Sequence, residues 1–202
     1  MAKTTFYLCS QTALSLRKFL PELKAAAKKG VVHMVPDAAT PLGYTYDQDE
    51  DRHMYEKHFK IELCWLVQQS PESLKKMLDE AEVIHIGGGS AYYLLQAVRE
   101  SGFDTYLHNL KRNITIVGSS AGATVLGPDI GPIEPMDDPS LANITDTTGI
   151  GLLDFIPVPH VNSDLWAAQA KEVLESGYTA HRLQPIRDEQ AICVKDGQVI
   201  IL

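Results

Sequence analysis

Gly118, Ser120 and Gly122 stand in a G-x-S-x-G spacing directly after the apolar run Ile114-Thr115-Ile116-Val117. Between a strand and a helix, this pattern sets a serine on a tight turn that exposes its hydroxyl above a sheet. The flanking glycines let backbones pass close by. The chemistry available is nucleophilic attack on a carbonyl. The first free N–H groups of the next helix, and its positive dipole end, would face the developing oxyanion. A plain packing turn satisfies the same spacing, because short glycine–serine patterns recur by chance. A second small-residue turn, Gly87-Gly88-Gly89-Ser90, follows the run Val83-Ile84-His85-Ile86. Its backbone N–H groups, with that of Ala121, would form a two-donor oxyanion hole. A phosphate cradle is the weaker reading, since neither G-x-G-x-x-G nor G-K-[ST] is present.

A serine nucleophile needs a base, and the base needs an orienting carboxylate. The chain offers seven histidines. His33 and His85 fall within strands and read as core histidines bonded to backbone. His53 and His58 are five apart on a surface helix and share no face. His108 reads as a solvated residue of an amphipathic helix, and His181 in Thr179-Ala180-His181-Arg182 suits either role. His160 stands out because it follows a strand over 155–159 and so reaches the same sheet edge as the glycine-rich turns. Asp188 and Glu189 precede a strand over 191–194, where Glu189 reads as part of a solvated turn. Asp129, Glu134 and Asp154 compete with them as the acid, and spacing does not rank the group.

The elements that would position these residues alternate along the chain. Strands are expected at 4–9, 31–35, 61–67 (a buried one), 83–86 and 114–117. Helices are expected over the leucine-rich segment closed by Gly30, over 54–59, over 91–99 and over 103–110. One more starts at Ser70-Pro71, with Ser70 as cap and Pro71 in the first turn. Alternation of this kind predicts an α/β fold: a doubly wound, mostly parallel sheet with helices on both faces. Its sites lie at the carboxyl edge of the strands. Residues 127–151 form a long loop of the kind that is often functional. A helix over 165–174 and a C-terminal β-hairpin turning at Lys195-Asp196-Gly197 complete the chain.

A length of 202 residues suits one domain, 1–202, and 45% hydrophobic residues supply a sizeable core. The net charge of −8 denies a nucleic-acid partner its electrostatic footing. No run of about 18 apolar residues is present, so no membrane span is expected. The N-terminus lacks a signal-peptide core, which predicts a cytoplasmic protein. Cys9, Cys64 and Cys193 are far apart in apolar runs and read as buried, reduced thiols, not as ligands of a metal. No cofactor is expected, and the protein would act as a monomer or homodimer.

The segments 83–90 and 118–123 (Gly-Ser-Ser-Ala-Gly-Ala), followed by Pro159-His160, resemble in order and spacing the peptidase E and cyanophycinase family of serine peptidases. Asp188-Glu189-Gln190-Ala191-Ile192 resembles that family's stretch bearing the acidic triad member. The likeness spans nearly the whole chain. It implies a fold similar to class I glutamine amidotransferases, with serine where those enzymes carry cysteine. It implies Ser120 as nucleophile, His160 as general base and Asp188 as orienting acid. Gly88 or Gly89, with Ala121, would hold the oxyanion. The activity implied is metal-independent hydrolysis of short peptides or isopeptides involving aspartate. Three departures stand out. Ser90 replaces a frequent asparagine, and Pro135 replaces an aspartate of the dipeptidases, which leaves Asp188 first and Glu134 a distant second. The stretch Val161-Asn162-Ser163-Asp164-Leu165-Trp166 is neutral to acidic where aspartyl dipeptidases are basic, with Lys171 the first cation, and this argues against selectivity for N-terminal aspartate. Two rivals follow: an α/β-hydrolase esterase, whose order Ser…Asp/Glu…His would require His181, and a non-catalytic binding protein on the same scaffold.

Overall fold

The computed structural model describes residues 4–44 and 49–202; residues 1–3 and 45–48 lie outside the described residues. The strands are β1 (Thr4–Cys9), β2 (Val31–Val35), β3 (Lys60–Leu63), β4 (Val83–Ile86), β5 (Ile114–Ser119), β6 (Phe155–Val158), β7 (Arg182–Pro185), β8 (Ala191–Lys195) and β9 (Gln198–Ile201). Seven of them form one sheet in the order β3-β2-β4-β5-β1-β8-β9, while β6 and β7 pair separately. The first five in that order are parallel, and β8 and β9 join antiparallel at the end. The hairpin turns at Asp196 (φ 50°) and Gly197 (φ 76°), the two left-handed residues that a two-residue connection with the right twist requires.

Successive side chains of a strand point to opposite faces, and the buried residues divide accordingly. Phe6, Leu8, Ile84, Ile86, Ile114 and Ile116 enter one core. Tyr7, Cys9, Val32, Met34, Val83 and Val117 enter the other. Runs that are apolar throughout are what a sheet covered on both faces demands. The second core is closed by Leu16, just after α1 (Thr12–Ser15), and by α2 (Leu20–Ala26) and α3 (Glu50–Glu56). The first is closed by α4 (Pro71–Glu80), α5 (Ala91–Ser101), α6 (Phe103–Asn109), the single turn α7 (Ala121–Thr124) and α8 (Ala167–Glu175).

Four expectations change. The leucine-rich helix before Gly30 is two helices separated by a 3-10 turn, Leu16–Lys18, because Pro21 restarts the helix in its first turn. Leu14 stays half exposed as a result. The helix expected over 54–59 begins earlier, at Glu50, where the Asp49 carboxylate accepts from the Arg52 N–H and caps it. The segment 61–67 is not a buried strand: β3 is the sheet edge, with Lys60 and Leu63 exposed, and the chain turns at Leu66–Gln68 to bury Cys64 and Leu66 instead. The helix expected from Leu165 begins at Ala167, leaving Leu165 on the surface. By contrast, Ser70 caps α4 through the Ser73 N–H and Gly102 ends α5 in the left-handed region, both as the sequence predicts.

The turn after β5 passes within contact of β4. A Cβ on Gly122 would stand 2.0 Å from the Ile86 carbonyl oxygen and 2.6 Å from its carbon, atoms of backbone that no side-chain rearrangement can move. Gly122→Ala is therefore expected to lose about 3 kcal/mol, the upper end for overpacking. Urea unfolding midpoints measure it, and a loss below about 1 kcal/mol would contradict the contact.

Candidate active site

The register Cys9↔Ser119 between β1 and β5 sets Ser10 and Ser120 side by side just past the carboxyl edge of the sheet. The Ser120 N–H donates to the Cys9 carbonyl at 2.9 Å, while the Ser120 carbonyl accepts from the N–H groups of Ala123 and Thr124. Between these anchors Ser120 adopts φ 50°, ψ −114°, a region that L-residues occupy only when their surroundings force it. The glycine turn lies opposite. A Cβ on Gly88 would stand 3.2 Å from the Ser120 Cβ. Gly87 and Ser90 spend their N–H groups on the Val35 and Ala38 carbonyls. The N–H groups of Gly88, Gly89 and Ala121 form no hydrogen bond with a described residue. Since α7 is one turn long, its dipole is small, and these N–H groups are what the turn offers a developing anion.

His160 and Asp188 arrive on a different support. Strands β6 and β7 run parallel and end together, Val158 beside Pro185, with the Ile186 N–H donating to the Val158 carbonyl at 2.8 Å. The chain then presents His160 and Asp188 from the same end. His160 Nε2 lies 2.9 Å from Ser120 Oγ, and its Nδ1 lies 2.9 Å from Asp188 Oδ1. Both side chains are largely withdrawn from solvent, at 14% and 13% exposure. His160 is itself left-handed, φ 63°. Asn162 fixes the acid's loop: its side-chain carbonyl accepts from the Asp188 N–H at 2.8 Å and its amide donates to Glu189 at 3.0 Å.

The competitors are placed elsewhere. Glu189 turns away toward Asn162 and Arg187. Asp129 accepts from the Gly131 N–H and the Tyr178 hydroxyl, and Glu134 and Asp154 are exposed. Pro135 lies within the 3-10 segment Gly131–Met136. His181, which the esterase order needs, is exposed and meets Tyr178. His108 is exposed on its helix, as expected, and its Nε2 also lies 2.7 Å from the Ile150 carbonyl. His33 and His85 are core residues: His33 meets the Val83 backbone and lies 3.3 Å from Glu62, and His85 has a side-chain partner, the Tyr55 hydroxyl at 3.2 Å. Cys9 and Cys64 are buried, Cys193 is half-buried, and all three thiols are free.

Two groups were not visible in the sequence. Ser10 Oγ lies 2.5 Å from Asp188 Oδ1 and 2.9 Å from His160 Nδ1, and it accepts from the His160 N–H at 2.8 Å. A lone serine after a strand carries no motif. Asp51, at the start of α3, reaches beneath the serine turn. Its Oδ1 accepts from the Ala13 N–H at 2.8 Å. Its Oδ2 lies 3.4 Å from His85 Nε2, an electrostatic contact and not a well-aligned hydrogen bond. Burial raises the pKa of this carboxyl, but His85, the Ser119 hydroxyl and the Ala13 N–H together outweigh burial and hold it below the usual carboxylate range. Burial pushes the pKa of the Tyr55 hydroxyl well up, and this hydroxyl lies 3.2 Å from His85 Nδ1.

Two cavities flank Ser120 and His160. One, of about 360 Å³, includes Gly88, Asp49, Glu50, Asp51 and Trp65 in its wall. The other, of about 210 Å³, includes Ala121, Ile133, Met136, Asp137 and Trp166. Residues 127–151 thus wall the site, and the Arg99 guanidinium ties them to α5 through the Asp146 and Thr148 carbonyls at 2.7 and 2.6 Å. Asp137 accepts from Ser90 Oγ and from the N–H groups of Ala91 and Tyr92, and burial raises its pKa despite these donors. Among the described residues, no lysine or arginine lines either cavity. Among the described residues, no group of three or more His, Cys, Asp or Glu side chains is arranged to hold a metal ion, and no helix is long and apolar enough to cross a membrane.

The family model described as peptidase family S51 matches residues 8–202. An uncharacterized peptidase of Listeria innocua is 26% identical over 183 residues, covering 89% of this chain and 87% of the relative. Peptidase E of Salmonella typhimurium is 33% identical over 92 residues, covering 44% of this chain and 38% of the relative. Among solved structures, a protein from Listeria monocytogenes named as a candidate peptidase E superposes with a TM-score of 0.87 at 23% identity, covering 100% of this chain and 98% of that one.

The depressed pKa of Asp51 has a definite sign in stability. Its ionised form favours the fold, so its contribution is full above the ordinary carboxylate pKa and is lost as pH falls through that value toward the lower folded one. Asp51→Asn should lower the melting temperature at neutral pH, and the gap from wild type should close below about pH 4. Melting curves across pH 3–7 test this. A gap independent of pH would show that the carboxylate charge is not what holds the turn.

Proposed function

The chain belongs to peptidase family S51, and on that premise we propose that it is a serine-type peptidase hydrolysing small peptides through Ser120, His160 and Asp188. The observation that carries this reading is the unbroken path from Ser120 Oγ to His160 Nε2 and from His160 Nδ1 to Asp188 Oδ1, each step 2.9 Å. His160 accepts the Ser120 proton as Oγ attacks the scissile carbonyl, and Asp188 stabilises the imidazolium that forms. The N–H groups of Gly88 or Gly89, together with Ala121, take the oxyanion. His160 then returns the proton to the leaving amine. Water, activated through the same Nε2, hydrolyses the acyl-enzyme.

The substrate reading rests on size and charge. The two cavities are at or below the small end of ligand pockets, which suits short peptides. Asp49, Glu50 and Asp51 on one side and Asp137 on the other, with no lining cation among the described residues, favour neutral or basic side chains over acidic ones. The three free thiols suit a reducing compartment and hence the cytoplasm.

A fluorophosphonate probe should label Ser120, and Ser120→Ala should lower turnover by several orders of magnitude while leaving the fold intact. Asp188→Asn should cost on the order of 10⁴-fold in kcat, whereas Glu189→Gln should stay within a few-fold. The reverse ranking would move the acid by one residue. In a dipeptide panel, neutral and basic residues at the cleaved bond should exceed Asp-X and Glu-X in kcat/KM; preference for Asp-X would refute the charge reading.

A further inference from the structure

We propose that Ser10 is a positioning residue of this site, one that fixes the tautomer of His160 and fastens the base and acid to the nucleophile's sheet. The proposal rests on the serine-peptidase reading above and adds to it a residue outside the three that perform the chemistry.

Its basis is a count of protons. Four polar atoms crowd together: Ser10 Oγ, Asp188 Oδ1, His160 Nδ1 and the His160 main-chain nitrogen, with Ser10 Oγ between 2.5 and 2.9 Å from each of the other three. Ser10 is 1% exposed, which leaves its hydroxyl to be satisfied by these protein groups. The main-chain N–H can only donate, and it uses one lone pair of Ser10 Oγ. The hydroxyl has one proton to give. If it went to Nδ1, an oxygen lone pair of Ser10 would face the Asp188 carboxylate at 2.5 Å with nothing between them, which is repulsive in a buried site. The hydroxyl therefore donates to Asp188, and Nδ1 must carry its own proton, shared between Asp188 Oδ1 and the remaining lone pair of Ser10. With Nδ1 protonated, Nε2 of the neutral ring is bare, and it is Nε2 that lies 2.9 Å from Ser120 Oγ. The only arrangement that satisfies Ser10 is the one in which His160 is ready to accept the serine proton.

The mechanical role follows from topology. Ser10 extends β1 beside β5, whereas His160 and Asp188 extend the separate β6–β7 pair. Ser10 bonds both of these groups and also holds the N–H of His160 in its left-handed conformation. It is thus a polar tie between the two supports, at the level where the proton moves.

The test reads the rate of fluorophosphonate labelling, in which Ser120 Oγ bonds to phosphorus, fluoride departs and the serine proton passes to His160. In Ser10→Ala, kinact should fall by about 10²-fold, as for a misplaced catalytic group, with KI within twofold of wild type and the melting temperature showing a folded protein. Ser10→Cys, which keeps the size and a weak donor, should fall between the two, and serves in place of the alanine variant if that fails to fold. The low-field proton resonance expected for His160 Nδ1–H should shift or broaden in Ser10→Ala. A folded Ser10→Ala, or a Ser10→Cys, that labels at the wild-type rate overturns the role of Ser10 while leaving the peptidase reading in place. Absence of labelling in the wild type would instead overturn that reading and this proposal with it.

Discussion

The hydrogen bond from the Ser120 N–H to the Cys9 carbonyl, with the two that the Ser120 carbonyl accepts from Ala123 and Thr124, holds the chain in a conformation that it would not adopt alone. A residue at φ 50°, ψ −114° costs on the order of 1–3 kcal/mol, and only a surrounding structure that over-determines the backbone keeps it there. That surrounding is the centre of the sheet. β5 lies between β4 and β1, its six residues are all buried, and Gly118 and Gly122 bring the following turn against backbone where no Cβ fits. The exposed hydroxyl is thus the visible end of a constraint that reaches through three strands and both cores.

The second constraint is that the partner of Ser120 comes from elsewhere. Among the described residues, three non-glycine positions have positive φ, and two of them are Ser120 and His160. Nucleophile and base each stand on a strained residue at the end of a parallel strand, on different sheets, and the strain directs the two side chains at one another. The polar groups that close the gap are buried and mutually satisfied. A half-satisfied cluster there would cost more than an apolar one.

Much of this was legible in the residues, and the exceptions have physical reasons. The apolar runs, the Ser70 and Gly102 helix ends, the Asp196-Gly197 turn and the G-x-S-x-G elbow are local signals, and each appears in place. The short strand β7, Arg-Leu-Gln-Pro, has no periodicity to announce it and exists because β6 offers an edge to pair with. Without β7, spacing could not rank Asp188 above Asp129 or Glu134, since its closeness to His160 is set by that pairing. His160 does reach the carboxyl edge of the main sheet, but from a strand of the smaller one. Ser10 and Asp51 were missed because they gain meaning only from neighbours 150 and 34 positions away, His160 and His85.

The division of the site between two supports also separates two kinds of adjustment. Base and acid share the β6–β7 pair, so a displacement of that pair carries both together and preserves their mutual distance. What such a displacement alters is the gap to Ser120. The spacing of base and acid and the reach to the hydroxyl are therefore set by different parts of the chain, the first by residues 155–162 and 182–190, the second by Ser10 and whatever else packs the small pair against the large sheet. Replacements in that packing can lengthen or shorten the proton's path without touching the pair that defines its acceptor.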